Sequence, residues 1–226
     1  MMNEIKDIVG IKLAETGRLV PWAETLSAWN ALQLEFANQV GHAAYCYTER
    51  SNLGLLAQAA LRAGRYALEE YQIVDSKKHG PLQEVWAGRC DCWLSGGEYG
   101  ELIEAKQEFL AIRSPLAAKQ AERLLDQAVA AASMTRGDTP LPAIGIAFLP
   151  VFLRASCDPE ASQFETELQN LVLSLQTCNS DFAAWCFPAA TRNYLGNGGS
   201  ALMPGILLLG RAVAERTYFS DVDIRN

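Results

Sequence analysis

Residues 142–153, PAIGIAFLPVFL, form an almost unbroken apolar run. A strand with this composition, rather than one that alternates apolar and polar positions, is covered on both faces. Covering both faces takes a sheet with helices packed on each side, so the run commits the chain to a layered α/β architecture. Pro150 lies inside the run and predicts a break there, because proline gives a sheet ladder no N–H.

The flanking sequence supplies the other layers. Residues 4–13 are expected to form a short first helix. After Val20-Pro21, the residues Trp22, Leu26, Trp29, Leu32, Phe36 and Val40 recur at three- and four-residue steps, the stripe of an amphipathic helix. That stripe suits a core face or a homodimer contact. Thr48 is placed to cap a second helix over 48–64, ended by Gly64, with Glu49 in its first turn where the helix dipole favours an acid. The segment RYALEEYQIV is expected to begin as helix and end as a strand running to Asp75. Ser114-Pro115 opens a long helix to about 136, a further helix spans 159–176, and strands are expected at 182–187 and 205–213. With no linker or internal repeat in 226 residues, half of them hydrophobic, one domain over 1–226 is the simplest organisation.

Charge and cysteine usage narrow the partners and the compartment. The formal charge of −7 argues against nonspecific binding to a polyanion. Residues 49–136 are nearly balanced, so a nucleic-acid contact has to be local. The N-terminal segment has acids where a secretory signal needs a positive start and an apolar core, and no run approaches the length of a membrane span. A cytoplasmic protein with no membrane partner is expected. Cys46, Cys90, Cys92, Cys157, Cys178 and Cys186 mostly sit in apolar surroundings, as buried thiols do. Cys90 and Cys92 are expected on one strand face, and His42 and His79 are isolated, so no zinc-ligand spacing arises.

The chemistry concentrates in residues 85–109, VWAGRCDCWLSGGEYGELIEAKQEF, which read as two strands joined by a turn at Ser95-Gly96-Gly97. Side chains alternate along a strand, so Glu104 and Lys106 project from one side. If the strands pair, Asp91 joins them, and two carboxylates and an ammonium converge on one spot. Such a group suits a divalent cation. Glu101 and Tyr99 belong to the opposite face and are excluded. Glu108 continues the Glu104 face but is expected at a solvated strand end. Arg89 shares the Asp91 face and is a candidate partner for a site acid or a phosphate. Arg50, Arg62, Arg65, Lys77 and Lys78 are candidate phosphate contacts.

A helix, a three-stranded meander, a second helix and a buried strand, with Asp91 on the second meander strand and Glu104-Ala105-Lys106 on the third, resemble the PD-(D/E)XK nucleases. The resemblance covers about residues 45–150. It leaves 1–44 as an N-terminal helical extension and 151–226 as a C-terminal helix and strands completing the sheet. Cys90 stands where the motif's proline would be. The resemblance implies a restriction-endonuclease-like fold, a central mixed β-sheet flanked by helices. It also implies a Mg²⁺-dependent (or Mn²⁺-dependent) nuclease acting on DNA ahead of RNA. Asp91, Glu104 and the carbonyl of Ala105 would hold the cation, Lys106 would act on the attacking water or the phosphate, and Glu49 would bind a second ion or an outer-shell water. Two other readings stand beside this one: a non-catalytic interaction protein that keeps the fold, and a structural ion-pair cluster in an unrelated α/β domain.

Overall fold

The computed structural model describes residues 6–14, 19–74, 87–96, 100–137, 139–154 and 161–214. In chain order its elements are β1 (Ile8–Leu13), α1 (Val20–Val40), α2 (Glu49–Arg62), β2 (Ala67–Val74), β3 (Ala87–Leu94), β4 (Glu101–Gln107) and β5 (Leu110–Ala111). Then come α3 (Ala117–Arg136), β6 (Ala143–Arg154), α4 (Ala161–Leu175), β7 (Phe182–Phe187), β8 (Leu195–Gly196) and β9 (Ala201–Ala212). The strands make one mixed sheet in the order β1-β7-β9-β6-β4-β3-β2, with β5 added to β6 and β8 to β9.

The apolar run is β6, at the centre of that sheet. Ile144, Ile146 and Phe148 point into the core under α1 and α2. Ala147, Leu149 and Val151 point into the core under α3 and α4. Both faces are therefore covered, as the composition of the run requires. Pro150 does not break the strand. β4 pairs with β6 only as far as Phe148, and β5 resumes at Val151, so the proline falls where that side of the ladder is interrupted.

Trp22, Leu26, Trp29 and Leu32 of the α1 stripe are buried in the core, with Trp22 stacked on Phe182 at 4.4 Å. Most of that stripe is consumed inside the domain, while Val40 at its end is exposed. Thr48 caps α2 as expected, its hydroxyl accepting from the Ser51 N–H.

Two local expectations need correction. In place of a helix over 4–13, Ile8–Leu13 form β1, an edge strand antiparallel to β7. The β-branched Ile8, Val9 and Ile11 favour extension, and Gly10 lets the ring of Trp185 lie directly over the strand. RYALEEYQIV also has no helical beginning, since β2 starts at Ala67 and pairs with β3 from its first residue. The expected strand end at Asp75, together with Lys77, Lys78, His79, Pro81, Gly97, Tyr99 and Cys157, lies outside the described residues.

The meander β2-β3-β4 is antiparallel, and β4 then runs parallel to β6 through the crossover helix α3. Gly145 of β6, opposite Glu104 in the register, makes the close approach of α3 feasible. A Cβ there would lie 2.3 Å from the Val129 nitrogen and 2.5 Å from the Ala128 carbonyl carbon. Backbone atoms of a helix cannot turn aside as a side chain can. Gly145→Ala should therefore lower stability by at least about 1–3 kcal/mol. A urea midpoint that does not move would contradict the close packing of α3 on β6.

Candidate functional site

The site lies where β3 parts from β4. These strands pair over only three positions, ending at Cys92 opposite Ile103. One step further, Asp91 would face Glu104, but the backbone ladder is not continued. The Asp91 side chain bridges the gap instead, with Oδ2 accepting the Ala105 N–H at 2.8 Å. A carboxylate is a stronger acceptor than a neutral carbonyl, so the bridge satisfies a backbone donor and also fixes the acid at the seam.

The other neighbour of Asp91 is irregular at the same level. In the β2–β3 register, Glu69 pairs with Cys92 and Tyr71 with Cys90, but Glu70 and Asp91 are not paired. Glu70 has φ of 53°, a left-handed conformation uncommon for a side-chain-bearing residue. The strand faces exchange across this level. Cys92 packs in the core under α1 and α2, while Cys90 packs with Leu102, Ala132 and Ala143 near α3. The expectation that Cys90 and Cys92 share a face is therefore wrong, because strict alternation fails at Asp91. Burial pushes both thiols up to about 12, so neither is a ready thiolate ligand.

Glu104 is 7 % exposed, and its Oε1 accepts from Thr135 Oγ1 at 2.6 Å, near the end of α3. Its carboxyl also shares a hydrogen bond with Asp91. Burial, more than any other cause, pushes Glu104 up to about 7. The Asp91 charge and hydrogen bond add to the rise, while the Thr135 hydroxyl and the Lys106 charge oppose it. Two carboxyls in contact cannot both ionise without cost, and one proton held between them relieves the repulsion.

Lys106 donates from Nζ to the Ala105 carbonyl at 2.7 Å. Glu49, in the first turn of α2, stands within the fields of Lys106 and Asp91 and accepts the Gln107 N–H. Burial holds its pKa above the ordinary carboxylate range, with Lys106 pulling the other way. Asn52 donates to Gln107 Oε1 at 2.8 Å, and Gln107 Nε2 donates to the Tyr47 carbonyl at 2.7 Å. These bonds tie the start of α2 to the end of β4. Asp91, Glu104, Ala105 and Lys106 are thus brought together at the seam, with Glu49 of α2 within the fields of Lys106 and Asp91.

Among the described residues, no group of three or more His, Cys, Asp or Glu side chains could hold a metal ion, so Glu49 does not complete a three-acid cluster with Asp91 and Glu104. The donor chemistry still fits one hard divalent cation. Two carboxyls in contact, with a backbone carbonyl alongside, offer the few oxygen ligands that Mg²⁺ takes while keeping several waters.

The neighbouring residues divide differently from expectation. Glu101 faces away from the site and accepts from Arg65 Nη2 at 2.6 Å and Trp22 Nε1 at 3.0 Å. Arg65 is 6 % exposed and lies over the Trp22 ring, so it is a structural cation and not a phosphate contact. Arg50 and Arg89 both pair with Glu70, and Arg62 pairs with Glu35. Glu108 is held by Gln120 and Arg123 of α3, where a solvated terminus was expected. Thr135 and Gln107 were missed in the sequence. Nothing in their local pattern marks them, because their roles depend on the packing of α3 and α2 against β4.

Compared with family models, curated proteins and solved structures, the chain matches none.

The raised pKa of Glu104 makes stability pH-dependent. Its neutral form is the one the fold favours, so its contribution is complete below the ordinary 4.5 and is lost as the pH climbs through about 7. With chelator present, Glu104→Gln should match wild type in acid and exceed it above pH 7 by about 1–3 kcal/mol. Urea midpoints across that range check the sign, and a Gln variant that loses stability relative to wild type with rising pH would refute it.

Proposed function

We propose that this chain is a metal-dependent phosphodiesterase of the restriction-endonuclease-like class, acting on DNA ahead of RNA. The observation that carries this reading is the contact between the Asp91 and Glu104 carboxyls where β3 leaves β4, with the Lys106 ammonium beside them. The order α2-β2-β3-β4-α3-β6 supports it, since an antiparallel meander followed by a strand parallel to its last member is the core that the motif implies.

In this reading Asp91, Glu104 and the Ala105 carbonyl hold Mg²⁺ or Mn²⁺. The cation, when bound, supplies Lewis-acid activation and neutralises charge at the scissile phosphate. The residues of the chain do the rest. Lys106 orients the attacking water and offsets negative charge as the phosphate becomes five-coordinate. Glu49, within the fields of Lys106 and Asp91, would bind a second ion or hold an outer-shell water of the cation. Thr135 fixes the Glu104 carboxyl so that binding the cation needs loss of a proton but little rearrangement of the side chain.

Alternatively, the fold serves a non-catalytic interaction protein. The net charge of −7 favours that reading, because it weakens attraction to a polyanion over most of the surface.

Labelled single- and double-stranded DNA and RNA, incubated with Mg²⁺, Mn²⁺ or chelator, separate the two. Cation-dependent cleavage is expected, falling at least about 100-fold in Lys106→Ala and in Asp91→Ala. Cleavage that persists unchanged in both variants would remove the assignment, and no cleavage of any substrate would favour the interaction protein.

A further inference from the structure

Tyr47 is 51 % exposed, a large aromatic ring left in solvent two residues before Glu49. It does not stand alone. The His42 ring is stacked on it, with centroids 5.4 Å apart and planes 11° from parallel. His42 in turn packs against Tyr194 at 4.5 Å, and the Tyr194 hydroxyl is hydrogen-bonded to His42 Nε2. Tyr47 is thus backed by the His42 ring, which Tyr194 holds in turn, and this pile keeps a flat apolar surface in place at little further entropic cost. A lone exposed tyrosine would be unremarkable, but a braced one presents a preformed platform.

The platform is tied to the candidate site. Gln107, the residue after Lys106, donates its side-chain amide to the Tyr47 carbonyl, and its backbone N–H goes to Glu49. The Tyr47 main chain is therefore held at the end of β4 by one bond from Gln107, the residue whose backbone N–H also goes to Glu49.

The cations near this end of the sheet point to the kind of ligand. Arg50 and Arg89 are shared by Glu70, and Arg65 is buried against Glu101. A duplex is held mainly by many phosphate contacts, and in a chain of net charge −7 these cations are already engaged. A single strand can instead gain affinity by stacking its bases on aromatic rings. Base faces are accessible only where a nucleotide is unpaired.

We propose that Tyr47, braced by His42 and Tyr194, stacks on an unpaired base next to the scissile phosphate, making single-stranded nucleic acid the preferred substrate. The inference rests on the phosphodiesterase reading for its location, but its own observable is binding.

The test measures fluorescence anisotropy of labelled oligodeoxyuridylate and oligouridylate, about ten nucleotides long, and of a duplex of similar length. Ca²⁺ replaces Mg²⁺ to suppress cleavage. Wild type is expected to bind single strands more tightly than duplex. Tyr47→Ala should weaken single-strand binding about 5- to 100-fold, and Tyr47→Phe should restore it. A preference between the two single strands then assigns DNA or RNA. Because Tyr47 is exposed, the Ala variant should unfold at the same urea concentration as wild type, which separates lost stacking from lost structure. Equal binding by wild type and Tyr47→Ala, duplex bound as tightly as single strand, or no binding of any oligonucleotide would each overturn the proposal. If Tyr47→Ala binds normally while Lys106→Ala abolishes cleavage, only the stacking inference fails. If binding depends on Tyr47 but Lys106→Ala and Asp91→Ala both still cleave as wild type, the assignment of the cleavage site fails and the stacking stands.

Discussion

The hydrogen bond from the Ala105 N–H to Asp91 holds together two strands that have stopped pairing. A sheet interior does not tolerate an unpaired backbone donor, and continued pairing would have been the simplest remedy. Here a side chain takes the donor and the strands are free to separate. The separation leaves room beside β4 for the carboxyls of Asp91 and Glu104 and for the Lys106 ammonium. It begins at Asp91, the level at which β2 also departs from regular pairing, through the left-handed Glu70. Below that level, the Cys92–Ile103 rung continues into a sheet covered on both faces.

That covering explains why a site with so many charges is stable in one arrangement. α3 closes over β4 and β6 through the gap left by Gly145 and delivers Thr135 to Glu104. α2 closes from the opposite side and delivers Glu49, locked by Asn52 and Gln107. Each helix contributes one polar contact at the seam and a larger apolar face elsewhere. The apolar faces position the helices, and the polar contacts inherit that precision.

The parts of this arrangement visible in the sequence are those set by local pattern. The uninterrupted apolarity of 142–153 required a sheet with two helical layers, and the spacing from Trp22 to Leu32 required a packed helix. Glu104 and Lys106 share a face because a regular strand alternates, and β4 is regular. β3 is not, so the same rule misplaced Cys90 relative to Cys92. The irregularity comes from a tertiary event, the loss of pairing on both sides of Asp91, which no local pattern records. Arg65 was misread for a related reason. A surface arginine and a buried one look alike in sequence until Glu101 and Trp22, distant along the chain, are seen to enclose it. The N-terminal strand was missed because the extended preference of Ile8, Val9 and Ile11 is only a weak local signal, and it takes effect once β7 offers an edge to pair with.

β4 carries buried acids on both of its faces, Glu101 toward Arg65 and Trp22, Glu104 toward Thr135. Apolar strands can slide by one residue and still bury something greasy, which is how misaligned sheets arise. For β4 such a slip would drive Glu104 into the core beneath α1 and α2, whose buried cation, Arg65, is placed for Glu101, and would turn Glu101 away from that cation. An arginine stranded in that core is among the costliest errors a small domain can make. The two acids therefore act as alignment pins during folding. Whatever β4 does for chemistry, its charges also ensure that the chain has only one way to close.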